Sequence, residues 1–465
     1  MKLYWQHAKI QIRTSLLLDS INIHINDGES YGIIGSNASG KTILAKAIAG
    51  LLPVRDAEPA EPVRSVFVSF QSGFQLKHGA RAYRQQRWNL PDAEFVPTVR
   101  ELFEKVEKQE KLQKLIRDFG FQNHLDRFVI SLSNGEQRKF ELIKAMADEP
   151  ELLVIDNAFN GLDAPSRVLL HDMLNKMVAQ GRQLVLTGLK PDDFPVSLKH
   201  FIHVDGQSAF NVERSNIRLE YPAVDEQLCE IPRWENSTYD EIIDLEQLSL
   251  VYNNTKILDR INWRVMAGEK WVLAGGNGSG KTSLLNMIFG DNPRAYKCRI
   301  RLFGRQKGTG ESIWDIKNRV GFVSPEMHQY LPAGQSVNDV LCSGFFTSEG
   351  LYNKPTSYQR ILAQKWLQLI KLGPLSDLPF NVLVSSHQRM VLVLRALIKN
   401  PPLLIFDEPF QGLDPENIAV MKNLLNSIAE HTNCTMIFVS HFEDEVPASF
   451  NRRLTLQNGM VVLRE

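Results

Sequence analysis

No apolar run in the sequence reaches the roughly 18 residues that a membrane-spanning helix needs. The first seven residues, MKLYWQH, contain no apolar core of the kind found in signal peptides. We therefore expect any role at a membrane to depend on a partner protein.

Cysteine is scarce, and charge of either sign has no excess. The four cysteines, Cys229, Cys298, Cys342 and Cys434, form no C-x-x-C pair. This scatter argues against a zinc or iron–sulfur site and against a disulfide framework, and it favours a reducing compartment. Lys plus Arg is 53 and Asp plus Glu is 53, so no overall field would draw the chain to nucleic acid or anionic lipid.

One motif occurs twice. Residues 35–42, GSNASGKT, and residues 275–282, GGNGSGKT, both fit the pattern G-x-x-x-x-G-K-[ST], and their starts differ by 275 minus 35, or 240 residues. An apolar run, 31–34 or 271–274, precedes each motif, and a helix-forming run follows it. In a strand, glycine loop and helix of this kind, the loop amides and the helix N-terminus hold phosphate.

The repeat predicts two copies of one domain in the 465 residues. Residues 151–156, ELLVID, and 402–407, PLLIFD, indicate buried strands of a mostly parallel sheet in each copy. Residues 215–240 contain prolines and acidic residues with little apolar periodicity, which is typical of a linker. We therefore predict domains at 1–214 and 241–465.

Further motifs resemble those of the ATP-binding-cassette (ABC) proteins. Residues 132–137, LSNGEQ, are similar to the family's signature, and 383–388, LVSSHQ, are an eroded version. Residues 407–414, DEPFQGLD, resemble the acidic strand end and D-loop, and Ser440-His441 resembles the switch histidine. The resemblance implies an α/β fold of two P-loop NTPase domains in tandem, each a doubly wound, mostly parallel sheet with an antiparallel β part and a helical subdomain.

Within this family the text at 302–305, 312–317, 321–324 and 395–399 is most similar to tandem ATPases associated with molybdate transport. That resemblance implies an ATPase that serves a molybdate or other oxyanion uptake system and docks on a separate membrane permease. It also implies a cytoplasmic location, free or peripheral on the cytoplasmic face of the inner membrane. The glutamine that the family carries after 321–323 is replaced by Pro325-Glu326, which puts the coupling to such a partner in doubt.

Two other functions stay open. One is a transport-independent factor that acts on the ribosome or another nucleoprotein, although the short acidic linker would repel a phosphate backbone. The other is a regulatory ATP-binding module without a substrate.

The family resemblance implies that the two domains close head to tail, so that each ATP lies between one phosphate loop and the opposite signature. The better composite site would use Glu408 to activate water and His441 to contact the γ phosphate, with Ser133 and Gly135 completing it. Thr282 and Asp407 would hold Mg²⁺, and Tyr252 would stack on adenine. Its phosphate loop contributes Gly275, Asn277, Gly278, Ser279, Gly280, Lys281 and Thr282.

The other composite site has lost its hydrolytic residues. Asn157 replaces the glutamate, and an amide cannot accept a proton from water. We expect Gly188 to stand where His441 stands and Val384 to replace the signature serine. Losing a general base costs about 10²- to 10⁴-fold, so this site should bind ATP without turning it over. The residues that would hold ATP and Mg²⁺ there are Gly35, Asn37, Ser39, Gly40, Lys41, Thr42, Asp156 and Gln71.

Some of these assignments have structural alternatives. Tyr252 is either an adenine contact or a core aromatic, and His441 is either a ligand contact or a core histidine. Asp163 is an alternative to Asn157 as the carboxylate of the first site. The basic run at 77–87 is more typical of a solvated face of the first helical subdomain than of a partner surface.

Overall fold

The computed structural model describes residues 2–12, 15–37, 39–57, 63–69, 74–75, 81–82, 97–104, 106, 109–129, 132, 134–159, 162, 164–217, 239–252, 255–290, 292–325, 327, 331–332 and 334–464. Two compact units divide the chain, Met1–Glu220 and Tyr221–Glu465. The predicted linker lies outside the described residues except at its ends. Ser133, Gln71, Asp163 and most of the basic run at 77–87 also lie outside them.

The first unit contains strands and helices in alternation. Its strands are β1 Leu3–Ile12, β2 Ser15–Ile25, β3 Tyr31–Ile34, β4 Val54–Arg55, β5 Ser65–Ser69, β6 Phe74–Gln75, β7 Arg81–Ala82, β8 Leu152–Asp156, β9 Gln183–Gly188, β10 His200–Asp205 and β11 Ser208–Glu213. Its helices are α1 Lys41–Ile48, α2 Val99–Phe103, α3 Gln109–Asp118, α4 Asn134–Ala147 and α5 Ala164–Ala179.

A nine-stranded sheet forms the centre of the first unit, in the order β4-β1-β2-β11-β10-β3-β9-β8-β5. Strands β5, β8, β9, β3 and β10 run parallel, whereas β1 pairs antiparallel with β2 and β4. Every residue of β3, β8 and β9 is buried. Such continuous apolar strands fit a parallel sheet that is covered on both faces.

The second unit repeats this plan. Its strands are β12 Glu241–Tyr252, β13 Thr255–Met266, β14 Lys270–Ala274, β15 Arg299–Leu302, β16 Arg305–Gln306, β17 Val320–Val323, β18 Leu403–Asp407, β19 Thr435–Val439, β20 Arg452–Gln457 and β21 Met460–Arg464. Its helices are α6 Lys281–Phe289, α7 Ile313–Arg319, α8 Val337–Ser343, α9 Ser357–Leu369, α10 Ser385–Leu397 and α11 Pro415–His431.

The strand order of the second unit matches that of the first. Its main sheet runs β17-β18-β19-β14-β20-β21, and a separate antiparallel sheet runs β13-β12-β15-β16. The parallel core β17-β18-β19-β14-β20 corresponds strand for strand to β5-β8-β9-β3-β10. The predicted fold class, two P-loop domains with a mostly parallel sheet and an antiparallel part, is therefore confirmed.

A helical subdomain lies between the phosphate loop and the acidic strand in each unit. In the first unit Phe103, Phe121 and Phe140 pack together beneath α2, α3 and α4, with ring centroids 4.9 and 6.4 Å apart. In the second unit α8, α9 and α10 bury Trp366 completely. Among the described residues, no helix has the length and apolar character to cross a membrane.

Candidate functional site

Both predicted phosphate loops join the central strand to the helix that follows it. Strand β3 ends at Ile34 and α1 begins at Lys41, while β14 ends at Ala274 and α6 begins at Lys281. The residue before each helix is a glycine with a left-handed φ, 103° at Gly40 and 104° at Gly280. Glycine suits this turn because it has no Cβ to clash.

The two loop lysines lie inside the curve of their own loops. The Lys281 ammonium donates to the carbonyl oxygens of Gly275 and Gly276 at 2.7 and 3.0 Å. Lys41 makes the equivalent contacts in the first loop, and both side chains are buried. Each loop therefore holds a buried cation, and a phosphate group is the anion such a loop accommodates.

Two serine hydroxyls point to the same kind of ligand. The Oγ atoms of Ser39 and Ser279 are buried, and no group of the described residues bonds to either. A buried hydroxyl without a partner is costly, and a ligand rich in acceptor oxygens would satisfy it. The geometry thus fits phosphate in both loops.

A hydroxyl and a carboxylate stand together beside each loop. Thr282 Oγ1 donates to Asp407 at 3.1 Å, and Thr42 Oγ1 lies 3.0 Å from both carboxylate oxygens of Asp156. Burial, with the neighbouring Glu408, raises the pKa of Asp407 to about 7. Hydroxyl and carboxylate oxygens are the ligands that Mg²⁺ prefers, so both pairs fit this cation.

A glutamate and a histidine lie in contact at the end of β18. Glu408 adopts a left-handed φ of 48°, and its carboxylate lies 2.9 Å from the Nε2 atom of His441. Burial raises the pKa of Glu408, but the hydrogen bond and charge of His441, with the charges of Lys281 and Arg389, outweigh it and lower the pKa. The side chain is therefore an anionic acceptor that lies against the imidazole of His441.

Arg389 supports this carboxylate from the helical subdomain. It lies on α10 and is buried, which lowers its pKa to about 10 although Glu408 and Asp407 oppose that change. Its guanidinium donates to the carbonyl oxygens of Ser324 and Pro325 at 2.8 and 3.4 Å. Sequence reasoning missed this residue. The available signal was its position: Arg389 directly follows the eroded signature, as Arg138 follows the first signature.

The end of β8 has the same backbone conformation as the end of β18 but carries different side chains. Asn157 has a φ of 53°, and its side chain replaces the carboxylate of Glu408 as predicted. Its backbone amide donates to Thr187 Oγ1 at 2.8 Å, and that hydroxyl donates to Asp156 at 2.7 Å. Sequence reasoning missed Thr187. A threonine at the end of the otherwise apolar β9 was the signal that could have revealed it.

The prediction that Gly188 stands where His441 stands is wrong by one residue. Asp407 pairs with Val439, two residues before His441. In the first unit Ile155 pairs with Leu186, which puts Asp156 opposite Thr187 and gives Leu189 the place of the histidine.

Gly188 has a packing role instead. A Cβ atom there would come within 2.7 Å of the Phe194 ring. The first unit still lacks an imidazole at this position.

The remaining predicted residues occupy the expected positions where the structure describes them. Helices α4 and α10 begin at Asn134 and Ser385, directly after the second signature positions, so Val384 is the counterpart of Ser133. Gly135 lies in the first turn of α4. Tyr252 and Ile12 end the equivalent strands β12 and β1, but their side chains lie outside the described part of the structure.

Comparisons with known proteins agree with this arrangement. The sequence profile of the ABC transporter family matches residues 18–160 and 258–411. The ABC transporter ATP-binding protein ModF of Escherichia coli is 32% identical over 92% of this chain and 91% of its own length. An uncharacterized ABC transporter ATP-binding protein of Schizosaccharomyces pombe is 29% identical over 96% of each chain.

Solved structures share the tandem fold. A chain in a structure described as a model of ribosome-bound archaeal Pelota and ABCE1 aligns with 99% of this chain and 78% of its own length, with a TM-score of 0.67 and 17% identity. A structure described as RNase-L Inhibitor covers 99% of this chain with a TM-score of 0.60 and 16% identity. At these identities the likeness concerns the fold alone.

Proposed function

The chain belongs to the ABC transporter family of ATP-binding proteins, and we propose that it binds ATP at both phosphate loops but hydrolyses it only at the second. The observation that carries this proposal is the Glu408–His441 pair at the end of β18, at 2.9 Å. The first unit has Asn157 and, by register, Leu189 at these positions.

The second unit supplies the groups that would bind the phosphates, hold the cation and activate water. Lys281 is placed to bind the phosphates, and Glu408 to orient and deprotonate the attacking water. His441 holds the Glu408 carboxylate in place. Thr282 and Asp407 would hold Mg²⁺, whose chemistry is to neutralise charge on the phosphate oxygens. Because electrostatic and positioning effects dominate phosphoryl transfer, a pre-oriented carboxylate is the decisive difference between the units.

The first unit supplies binding groups without a base. Lys41, Thr42 and Asp156 keep the same contacts as their counterparts, whereas the Asn157 amide accepts no proton at neutral pH. We therefore assign this unit a nucleotide that stays bound through many turnovers of the other.

As a finer role we propose the ATPase part of a molybdate or other oxyanion uptake system, acting with a separate permease. The similarity of residues 302–305, 312–317 and 395–399 to ATPases of that kind supports it, as does the relative named as a transporter ATP-binding protein. A transport-independent factor acting on a ribosome or nucleoprotein shares the tandem fold. Affinity capture of the tagged chain from membrane and soluble fractions separates the two, because the proposed role requires permease subunits, and recovery of ribosomes would contradict it.

Hydrolysis at the second unit is tested by a matched pair of variants. Glu408→Gln should lower steady-state ATP hydrolysis by about 10²- to 10⁴-fold because the general base is lost. Asn157→Glu should add no activity, since the first unit also lacks the histidine. Half or more of the wild-type rate in Glu408→Gln would disprove the assignment.

Binding at the first unit is tested by the nucleotide that the protein retains. After several turnovers with Mg²⁺-ATP and rapid removal of free nucleotide, acid extraction should recover about one unhydrolysed ATP per chain. Lys41→Ala should abolish this retained ATP. Recovery of ADP alone would contradict the proposal.

A further inference from the structure

Thr187 links two groups at the end of β8. Its side chain is 2% exposed. Its hydroxyl donates to one oxygen of Asp156 at 2.7 Å and accepts the backbone N–H of Asn157 at 2.8 Å. A threonine hydroxyl has one proton, so that proton is committed to the carboxylate.

A second hydroxyl reaches the same carboxylate from the phosphate loop. Thr42 Oγ1 lies 3.0 Å from both oxygens of Asp156. Two hydroxyl groups therefore converge on Asp156 without any ligand.

Among the residues that the structure describes, the equivalent carboxylate in the second unit has one hydroxyl partner. Thr282 donates to Asp407 at 3.1 Å. Val439 stands opposite Asp407 in the sheet, fully buried, and its side chain has no proton to donate. The amide of Glu408 bonds instead to the backbone oxygen of Val439 at 3.0 Å.

This difference bears on how each loop accepts a triphosphate. A carboxylate beside the loop repels phosphate oxygens, and the repulsion is strong where burial lowers the local dielectric. A hydrogen bond from a hydroxyl to a carboxylate is strong and reduces the negative potential that the carboxylate presents. Mg²⁺ reduces the same negative potential. Where an additional hydroxyl already reduces it, Mg²⁺ therefore contributes less to the affinity for ATP.

From this juxtaposition we infer that Thr187 makes ATP binding at the first phosphate loop less dependent on Mg²⁺ than ATP binding at the second. The inference rests on the proposed function, in which the first loop binds ATP. Thr187 acts here as a positioning residue, because its effect passes through its hydrogen bonds to Asp156 and Asn157.

The experiment measures the affinity for methylanthraniloyl-ATP by fluorescence, once with Mg²⁺ and once with EDTA. The full chain carries Lys281→Ala, which disables the second loop, and the readout is the ratio of the two dissociation constants. Adding Thr187→Val should raise the EDTA-to-Mg²⁺ ratio by about tenfold, the effect of losing one hydrogen bond to a charged group. Thr187→Ser keeps the hydroxyl and should keep the ratio.

The reciprocal variant serves as an independent test. In a chain with Lys41→Ala, Val439→Thr introduces the missing hydroxyl beside Asp407 and should lower the ratio of the second loop. This arm decides the matter if Thr187→Val does not fold.

The outcomes distinguish a failure of the proposed ATP binding at the first loop from a failure of the role of Thr187. If the Lys281→Ala chain binds no nucleotide even with Mg²⁺, the proposed function fails at the first loop. If it binds with Mg²⁺ but the ratio is the same with Thr187→Val, the role of Thr187 is overturned. An unchanged ratio in Val439→Thr overturns it as well.

Discussion

Asp156 and Asp407 end equivalent strands beside equivalent phosphate loops, but their neighbours across the sheet differ. Asp156 faces the hydroxyl of Thr187, whereas Asp407 faces the apolar side chain of Val439. The next residue along each strand is an asparagine in the first unit and a glutamate paired with His441 in the second.

This comparison shows where the two units have diverged. The lysine contact to Gly35 or Gly275 is 2.8 against 2.7 Å, and the threonine contact to the carboxylate is 3.0 against 3.1 Å. The second lysine contact differs more, 2.5 Å to Ser36 against 3.0 Å to Gly276. The differences lie beyond the loops, at the ends of β8 and β18. The loop contacts are therefore shared, and among the described residues the glutamate–histidine pair occurs at the strand end of the second unit and not of the first.

The largest effect is expected from the signature that the family resemblance assigns to the second phosphate loop. Ser133→Arg should lower ATP hydrolysis by about 100-fold or more, since a bulky cation would block closure over the γ phosphate. Val384→Arg, at the equivalent position of the other signature, should leave the rate nearly unchanged. Steady-state phosphate release from both variants provides the measurement, and equal losses would contradict the head-to-tail pairing.

The second prediction concerns the histidine that only one unit has. His441→Ala should reduce turnover by about tenfold to 100-fold, because Glu408 loses the partner that orients it while remaining present as the base. Leu189→His adds an imidazole at the corresponding place in the first unit, where Asn157 stands in place of the glutamate.

A single-turnover assay of the two histidine variants supplies the comparison. Leu189→His should match the wild-type rate within error. Wild-type turnover in His441→Ala would mean that the 2.9 Å contact has no part in the reaction.

The phosphate loops could be predicted from sequence because local residues determine them. Each loop follows a short apolar strand, and a glycine with a φ near 103° starts the helix, as at Gly40 and Gly280. Strands β8 and β18 were equally predictable, since continuous apolar residues ending in aspartate indicate a buried parallel strand. The replacement of Glu408 by Asn157 followed directly from that alignment.

Cross-strand neighbours could not be predicted in the same way. The register of β9 against β8 is a relation between two segments distant in sequence, and no motif spacing indicates it. The assignment of Gly188 to the histidine position failed for this reason. Thr187 and Arg389 were missed because each contacts residues that are distant in sequence, Asp156 for Thr187 and Ser324 for Arg389.

A third prediction compares the arginines of the two signature helices. Arg389 donates to Ser324 and Pro325 near Glu408, whereas Arg138 donates to the carbonyl oxygens of Asn157 and Ala158. Arg389→Met should slow hydrolysis by about tenfold, because buried carbonyl groups and Glu408 lose a charged partner.

Arg138→Met is the matched control for that arginine. It should destabilise the first unit, since the same kind of buried carbonyl loses its donor, but it should leave the rate of hydrolysis unchanged. Urea denaturation and an ATPase assay on both variants separate the two effects. A tenfold loss of rate in Arg138→Met would contradict the restriction of chemistry to the second unit.

The smallest effect is expected at Lys399, which follows α10. Burial and the charge of Arg395 lower its pKa to about 7, and its ammonium donates to the Lys317 carbonyl at 2.6 Å. The unfolded chain then binds more protons than the folded chain between about pH 7 and pH 10.5, so stability rises with pH across this range. Lys399→Met removes the titrating group and should flatten that rise by about 1 kcal/mol between pH 7.5 and 8.5.

The first unit offers the control for this prediction, because the position equivalent to Lys399 is the exposed Asp148. Asp148→Asn should leave the slope of stability against pH unchanged. Trp263, Trp271 and Trp366 are buried in the second unit, so their fluorescence during urea denaturation reports the unfolding of the unit that contains Lys399. An equal slope in wild type and Lys399→Met would show that the lysine is accommodated in its charged form, and the difference between the units would then be confined to their strand ends.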